Sequence, residues 1–533
     1  MERFDGAAAT RWARLAAARL DEQHAWINSI NVFPVADSDT GTNSLLTVSG
    51  GLDAVAGLDA GRGVAEVLTA FARGALVSAR GNSGVIISQF VGGMAEFLAE
   101  SAPDDVGPGK LSRALRAGHL AARGAVAVPV RGTVLSATKS SSKHARRAAK
   151  GGGELADVCQ AALDAAREET RRSPEKLPVL AEAGVVDAGA SVLVVLLEAL
   201  VEAVTGERPA RSGALAGGLV APERTEIAAP DLACAPQAGA DGEFELMFLL
   251  HAAGDHGPRL RAALGRFGES VAVVGAGGVW QAHVHTDSPS LALAAAELGP
   301  QRQIVVRHLA LHAGDAVPGG LGVVAAVAEP GLLTQVARTG AVVHVPSSPP
   351  VTPAELARAV TDTGADRVVV IADDPGTLAA AHRLAAQDPR VGVLELRDGL
   401  HAVLTLGALV AGDFAGPAEA ERALRVAAAA ARTEIFGGTG AAVGGAGSAV
   451  DGGRLGAGGS ADDGAPDALP ADAVARVRTV AATDAELVAV LHGSLVASGL
   501  LAELEAAALT AGAGEFLALE SGRDDAVLVV GVA

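Results

Sequence analysis

Residues 31–43 read NVFPVADSDTGTN, and two of their aspartates, Asp37 and Asp39, stand at alternate positions behind an apolar lead. Carboxylates two residues apart on an extended or turning backbone can converge on a hard cation, which takes several oxygen ligands. Thr40, Gly41, Thr42 and Asn43 follow. They supply hydroxyls, an amide, and a glycine that lets backbone N–H groups approach a phosphate. The same residue types also build an ordinary solvated Asx turn. Farther on, Gly81, Asn82, Ser83 and Gly84 spell GNSG at the head of an apolar helical pattern. A helix start of this kind offers unpaired N–H donors and the positive end of the macrodipole to a phosphate, or is simply N-capped by Asn82 or Ser83. Thr133 in GTV and Asp187 and Gly189 in DAG mark two weaker helix starts. Arg80 adjoins the GNSG turn, as a cation for developing charge or as a surface ion pair. In AHVHTDSP, His283 and His285 lie two apart on an expected strand, so both face one side. That geometry suits zinc once a third ligand is supplied, and equally suits a hydrogen-bonded structural pair.

The elements that must position these residues follow from periodicity. From residue 1 to about 204, Ala/Leu-rich segments carry apolar residues at helical spacing, interrupted by short Gly/Ser/Asp/Asn stretches that hold the polar chemistry. This predicts a helical bundle with a site built from loops at one end. Residues 205–240 lose periodicity and become rich in Pro, Ala and Gly, which predicts a linker. Residues 241–315 alternate strand-like and helix-like segments and predict a small α+β domain. Residues 316–533 alternate strands with helices and predict a parallel α/β sheet that the terminal AVLVVGVA can rejoin. Within them, the Gly-rich run at 437–465 is of disordered composition.

Composition limits the functional classes. A length of 533 residues calls for several domains, and half the residues are apolar. A net charge of −19 argues against nucleic acid and against an anionic membrane surface, although TKSSSKHARRAAK at 138–150 is locally basic. That run reads as a solvated helix face, or as a surface that steers a nucleotide or an acidic partner. Two cysteines, Cys159 and Cys234, allow no disulfide framework and fit a cytoplasmic location. The start is charged and unlike a signal peptide. The most apolar run, 190–204, meets Glu198 and Glu202 before the ~20 residues a membrane span needs, so it is expected to be a buried helix.

Taken in order, NVFPVADSDTGTN, ARGNSGVIISQ, PVRGTVLSAT and AGVVDAGAS resemble the nucleotide-binding (DAK2-like) domain of the dihydroxyacetone kinase family. The resemblance is to the subfamily represented by the ATP-binding catalytic subunit of bacterial fatty acid kinase. AHVHTDSP resembles that subunit's middle domain, and GLGVVAAVAEPGL its C-terminal domain, which is related in fold to DegV fatty-acid-binding proteins. The resemblance implies a multidomain protein: an all-α helical barrel binding ATP at one end, a small α+β middle domain and a DegV-like α/β domain. It implies that Asp37 and Asp39 hold two Mg2+ ions, with Asn31 a further ligand. Thr40, Thr42, Asn43 and the GNSG residues would lie at the phosphates, and Thr133, Asp187 and Gly189 near the nucleotide. Arg80 is the candidate for transition-state charge.

This chain departs from the family in two places. Ala36-Asp37-Ser38-Asp39 replaces the usual Pro-Asp-Gly-Asp, so a less tight turn is expected. Glu245 stands where the middle domain has a cysteine, making Glu245, His283 and His285 the candidate Zn2+ ligands. The implied activity is phosphorylation of a fatty acid carboxylate presented by a separate DegV-like protein, with a homodimer compatible. A dihydroxyacetone-type small-hydroxyl kinase and a non-catalytic nucleotide-sensing scaffold are the alternatives.

Overall fold

The computed structural model describes residues 3–33, 38–59, 61–100, 105–126, 129–209, 242–276, 278–311, 320–347, 350–436, 469–482, 485–525 and 527–532. Asp37, Cys234, most of the expected linker and the Gly-rich run at 437–465 lie outside the described residues. The chain divides into two units, Met1–Ala313 and Gly314–Ala533.

Helical periodicity in the first unit resolves into α1 (Gly6–Ser29), α2 (Thr40–Ala56), α3 (Val64–Ser78), α4 (Gly81–Glu100), α5 (Pro108–Ala125), α6 (Val134–Lys150), α7 (Leu155–Arg171), α8 (Pro178–Ala183) and α9 (Ala188–Thr205). A short antiparallel pair, β1 (Phe4–Asp5) with β2 (Asp105–Val106), ties the start of α1 to the approach to α5. From α1 to α7 each helix packs on the next, and α9 returns against α1, α6 and α7. Apolar on almost every side, α9 lies inside this layer. It has the length and apolarity of a membrane span, but 83% of it is buried within the protein. Its two acidic residues are matched rather than exposed. Arg19 on α1 meets Glu198 at 3.1 Å and also pairs with Glu202, while Arg167 on α7 meets Glu198 at 2.7 Å. Burial demands such pairing, because a lone charge in an apolar layer is strongly destabilising.

Four antiparallel strands follow in the same unit: β3 (Phe244–His251), β4 (Gly268–Ala276), β5 (Val279–Thr286) and β6 (Gln301–His308), in the order β6-β3-β5-β4. Helices Gly257–Leu264 and Pro289–Ala295 connect them, as the α+β reading expects. Alternation along β5 sends Gln281, His283 and His285 to one face. From that face the Gln281 amide donates to the Ala79 carbonyl at the end of α3, at 2.6 Å, and the sheet packs on α4.

The second unit contains a parallel sheet of β7 (Leu321–Ala326), β8 (Val342–Val345), β9 (Arg367–Ala372) and β10 (Val391–Glu395), with β10, β9, β7 and β8 as successive neighbours. Helices such as Pro353–Asp362 and Pro375–Ala385 make the crossovers. The C-terminal strand departs from expectation. β14 (Leu528–Val532) does not rejoin this sheet but pairs antiparallel with β11 (Arg432–Phe436) and β12 (Leu487–His492) in a second sheet, which β13 (Glu515–Glu520) completes. Short apolar runs carry no label for the sheet they enter, since partner choice is decided by distant segments.

Candidate functional site

The helix starts singled out by their residue types come together. Thr40 opens α2 and Gly81 opens α4, and the Thr40 and Ser83 hydroxyls lie 3.4 Å apart. Two helix N-termini therefore face one small pocket, each bringing the partial positive charge of its macrodipole. Asn31, Asp39, Thr40, Asn43, Gly81, Asn82 and Ser83 line it. Asn31 accepts from the Thr40 hydroxyl at 2.9 Å, and the Asn43 N–H donates to the Asp39 carbonyl at 2.8 Å. Gly81 takes φ +57°, and a Cβ there would come within 2.8 Å of the Asn43 amide nitrogen. Only glycine fits this turn without displacing a pocket residue.

Ser38 takes the left-handed conformation at φ +54°. Ser38 thus keeps a backbone conformation suited to glycine, at a strain of roughly 1–3 kcal/mol. Asp39 follows as the N-cap of α2, yet its carboxylate makes no capping bond. That carboxylate lies 3.6 Å from the Arg307 guanidinium.

Arg307 introduces what residue types alone do not foretell: the sheet supplies the other wall of the same pocket. Glu245, His283 and His285 line it beside Asp39 and Ser83. Strand register creates the cluster, with Glu245 on β3 directly opposite His285 on β5 and Arg307 on β6. Arg307 Nε donates to Glu245 Oε2 at 2.6 Å, and a second guanidinium nitrogen meets the same oxygen. His283 Nδ1 lies 3.1 Å from Glu245 Oε1, and the two imidazole centroids are 4.9 Å apart. All three residues are buried. Burial disfavours the charge on Glu245, but Arg307 and then His283 outweigh it and hold the carboxyl well below its ordinary range. Burial, followed by the repulsion of His283, pushes His285 down to about 3, so its ring is neutral. The ligand atoms of the three residues lie within 4.8 Å of one another, and His283 Nε2 and His285 Nδ1 are buried without hydrogen-bond partners. Orphaned imidazole nitrogens of this kind fit a borderline divalent ion such as zinc. Arg307 engages Oε2 of Glu245, and Oε1 is the oxygen that faces His283.

A second cavity, of about 610 Å3, opens on the other side of Asn82 and Ser83. Phe33, Ile86, Val126, Val130, Val134 and Leu135 make it largely apolar, and Thr133, Asp187 and Gly189 add its polar edge. Thr133 donates to the Val130 carbonyl at 2.9 Å rather than capping α6. Asp187 caps α9 by accepting from the Ala190 N–H at 2.7 Å. Burial pushes its carboxyl up to about 7 in spite of backbone hydrogen bonds from Ala190 and Val134. The opposite wall comes from the sheet domain, through Arg261, Glu269, Ser270 and Val271. There the register of β4 slips between Glu269 and Ala272, and Ser270 takes φ +51°. A bulge carrying a left-handed non-glycine residue beside a cavity is a common device for aiming side chains.

Three candidates lie outside both cavities. Asn28 occupies Thr42, donating to its hydroxyl at 2.8 Å and accepting from the N–H groups of Gly41 and Thr42 at 2.7 and 3.1 Å. Gly84 is a packing position, since a Cβ there would meet the Thr47 hydroxyl at 2.4 Å. Arg80 is buried and donates to the Ala79 carbonyl at 3.2 Å. Local residue type does not reveal which side chain a neighbouring helix will claim. Asn28 escapes a reading by residue type because it sits inside a regular helical pattern, and Arg307 because it looks like any strand cation.

Comparisons with known proteins match both halves of this site. Residues 34–202 match the DAK2 domain, and residues 241–315 match the FakA-like middle domain of fatty acid kinase. The chain is 27% identical over 431 residues to the protein YloV of Bacillus subtilis (strain 168), across 75% of this chain and 76% of that one. A Staphylococcus epidermidis protein (strain ATCC 12228 / FDA PCI 1200) is 34% identical over 182 residues, which span 34% of this chain and 32% of the relative. Among solved structures, the dihydroxyacetone kinase from C. freundii in complex with AMP-PNP and Mg2+ is similar at 20% identity and a TM-score of 0.28, over 38% of this chain and 35% of that one. The DegV family protein Cg2579 from Corynebacterium glutamicum is similar at 19% identity and a TM-score of 0.29, over 41% of this chain and 98% of that one. Residues 34–202 are thus similar to a DAK2 domain and residues 241–315 to a FakA-like middle domain.

Proposed function

We propose that the chain is the ATP- and magnesium-dependent catalytic subunit of a phosphotransferase. It passes the terminal phosphoryl group of ATP to the carboxylate of a fatty acid presented by a separate DegV-like protein. The observation that carries this reading is the adjacency of the two cavities on either side of Asn82 and Ser83. The larger is of a size and apolarity suited to a nucleoside, and the smaller has the polar equipment for its phosphates. Asp37 and Asp39, with Asn31, would hold the magnesium, which neutralises phosphate charge when bound. Thr40, Asn43 and the N-termini of α2 and α4 cradle the phosphate oxygens. Thr133, Asp187 and Gly189 border the nucleoside. Transfer of a phosphoryl group requires mainly alignment and charge neutralisation, and this pocket offers both. A fatty acid carboxylate is already ionised near neutral pH, so no general base is assigned.

Glu245, His283 and His285 are proposed to hold zinc against the phosphate pocket, with Arg307 keeping Glu245 anionic. About one equivalent of zinc is then expected in the purified protein, lost on His283→Ala. Protein that never held metal would leave Glu245 and Arg307 as a structural ion pair.

A carrier is needed because burying each CH2 of an acyl tail is worth ~0.8 kcal/mol, and the phosphate pocket is polar. The decisive experiment mixes the purified chain, ATP and magnesium with DegV-like proteins from the same genome and measures acyl phosphate. Formation is expected only with a carrier. Turnover of free fatty acid alone would refute the division of labour, turnover of dihydroxyacetone would shift the substrate class, and nucleotide binding without any turnover would favour a sensing scaffold.

A further inference from the structure

Away from both cavities, α5 and α6 enclose a groove of about 520 Å3 with the opposite character to the rest of the molecule. Arg116 of α5 and Lys139, Lys143, Arg146, Arg147 and Lys150 of α6 line it, and no acidic side chain does. The five cations on α6 recur at intervals of three and four, or sit side by side, so they share one face of the helix. Among the described residues none of the six has an ion-pair partner, whereas Arg19, Arg62, Arg171, Arg390 and Arg425 all meet carboxylates. This is a chain with 61 acidic and 42 basic residues. Six gathered cations with no counter-charge repel one another, and an anion seated between them would relieve that repulsion. At the floor, the half-buried His119 ring bonds the Thr138 hydroxyl at 3.0 Å. Burial, and then the charges of Lys139, Arg123 and Arg116, push His119 below its ordinary range, which registers the positive potential there. Leu120, 54% exposed, provides an apolar edge.

We propose that this groove binds a soluble anion carrying several phosphate groups. A concave site with cations on two walls surrounds a small polyphosphate, with Arg and Lys donating charge-assisted hydrogen bonds. A flat anionic membrane would instead meet the remainder of a molecule whose net charge is −19, while the groove's own field fades within ~8 Å at physiological salt. The site is separate from the proposed catalytic pocket, because α6 reaches the apolar cavity through Thr133, Val134 and Leu135 and the groove only from Lys139 onward.

Calorimetric titration of the whole chain with inorganic tripolyphosphate tests this. Binding should weaken steeply with added salt. It should also weaken at least ~tenfold in the exposed double variant Lys143→Glu/Arg146→Glu, confirmed as folded by its thermal melt. An Asp39→Ala variant, altered only at the phosphate pocket, should keep this component of binding. Absence of tripolyphosphate binding, or unchanged affinity in the folded double variant, would overturn the proposal. So would charge-dependent sedimentation with phosphatidylglycerol vesicles in place of tripolyphosphate binding, since that would make the groove a membrane contact.

Discussion

The two cavities flanking Asn82 and Ser83 are neighbours built by opposite rules. The phosphate-side pocket is small and polar, and its residues restrain one another: Asn31 with Thr40, Thr40 with Ser83, and Arg307 with both Glu245 and Asp39. The larger cavity is apolar along its helical wall, and its one buried carboxyl, Asp187, is held toward its neutral form. Buried charge is concentrated where phosphates and metal would sit and suppressed at Asp187, where a base and sugar would. Tight positioning is worth most around reacting atoms, whereas a nucleoside needs chiefly area and exclusion of water.

The contrast is most severely tested at Asp39. Asp39→Ala is expected to lower carrier-dependent acyl phosphate formation at least ~10³-fold while leaving the thermal melt nearly unchanged, because its carboxylate serves the pocket and not the core. Near-normal turnover would break the assignment of charge handling to this side.

Asp187 tests the other cavity through pH. Its folded pKa of about 7 lies above the ordinary 3.8, so the folded state holds this proton more tightly than the unfolded chain. The resulting stability is full below about pH 4, declines as the pH rises toward 7 and is flat beyond, a change of up to roughly 4 kcal/mol. Asp187→Asn keeps an N-cap for α9 and should flatten that decline in denaturant titrations across the same range. An identical slope in the variant would show that the cavity does not suppress charge.

The smallest effect sharpens the comparison. Gly189→Val, which adds bulk at the edge of the apolar cavity, is expected to raise KM for ATP ~tenfold with kcat little changed. A fall in kcat instead would mean that the two cavities are not separable in function.

The sequence disclosed some of this architecture and concealed the rest for identifiable reasons. The starts of α2 and α4 were legible because glycine, asparagine and hydroxyl residues at a helix entrance have few other uses. The alternation in AHVHT correctly placed two histidines on one face of a strand. Their meeting with Asp39 was not legible, since it depends on the register of β3, β5 and β6 and on the packing of that sheet against α4. Glu245 reads as a substituted ligand in sequence, and only the fold reveals Arg307 beside it. Thr42 and Gly84 look like phosphate contacts because their motif is local, while Asn28 and Thr47, which claim their space, lie outside it. The last strand is evident as a strand, but its sheet is not, as its partners are β11 and β12 rather than the parallel strands its pattern suggests.

The stitching of α1 to α9 bears on how the chain is made. Trp12 donates to the Leu196 carbonyl at 3.1 Å, Arg11 donates to the Ala203 carbonyl, and Arg19 pairs with Glu198 and Glu202. Each of these partners is translated more than 170 residues after the residue that awaits it. At ~5–20 residues per second, the apolar face of α1 waits roughly 10–40 seconds on the ribosome before its partner emerges. The first helix thus has a prolonged need for a chaperone on the nascent chain, and truncation before α9 would leave it without its native cover.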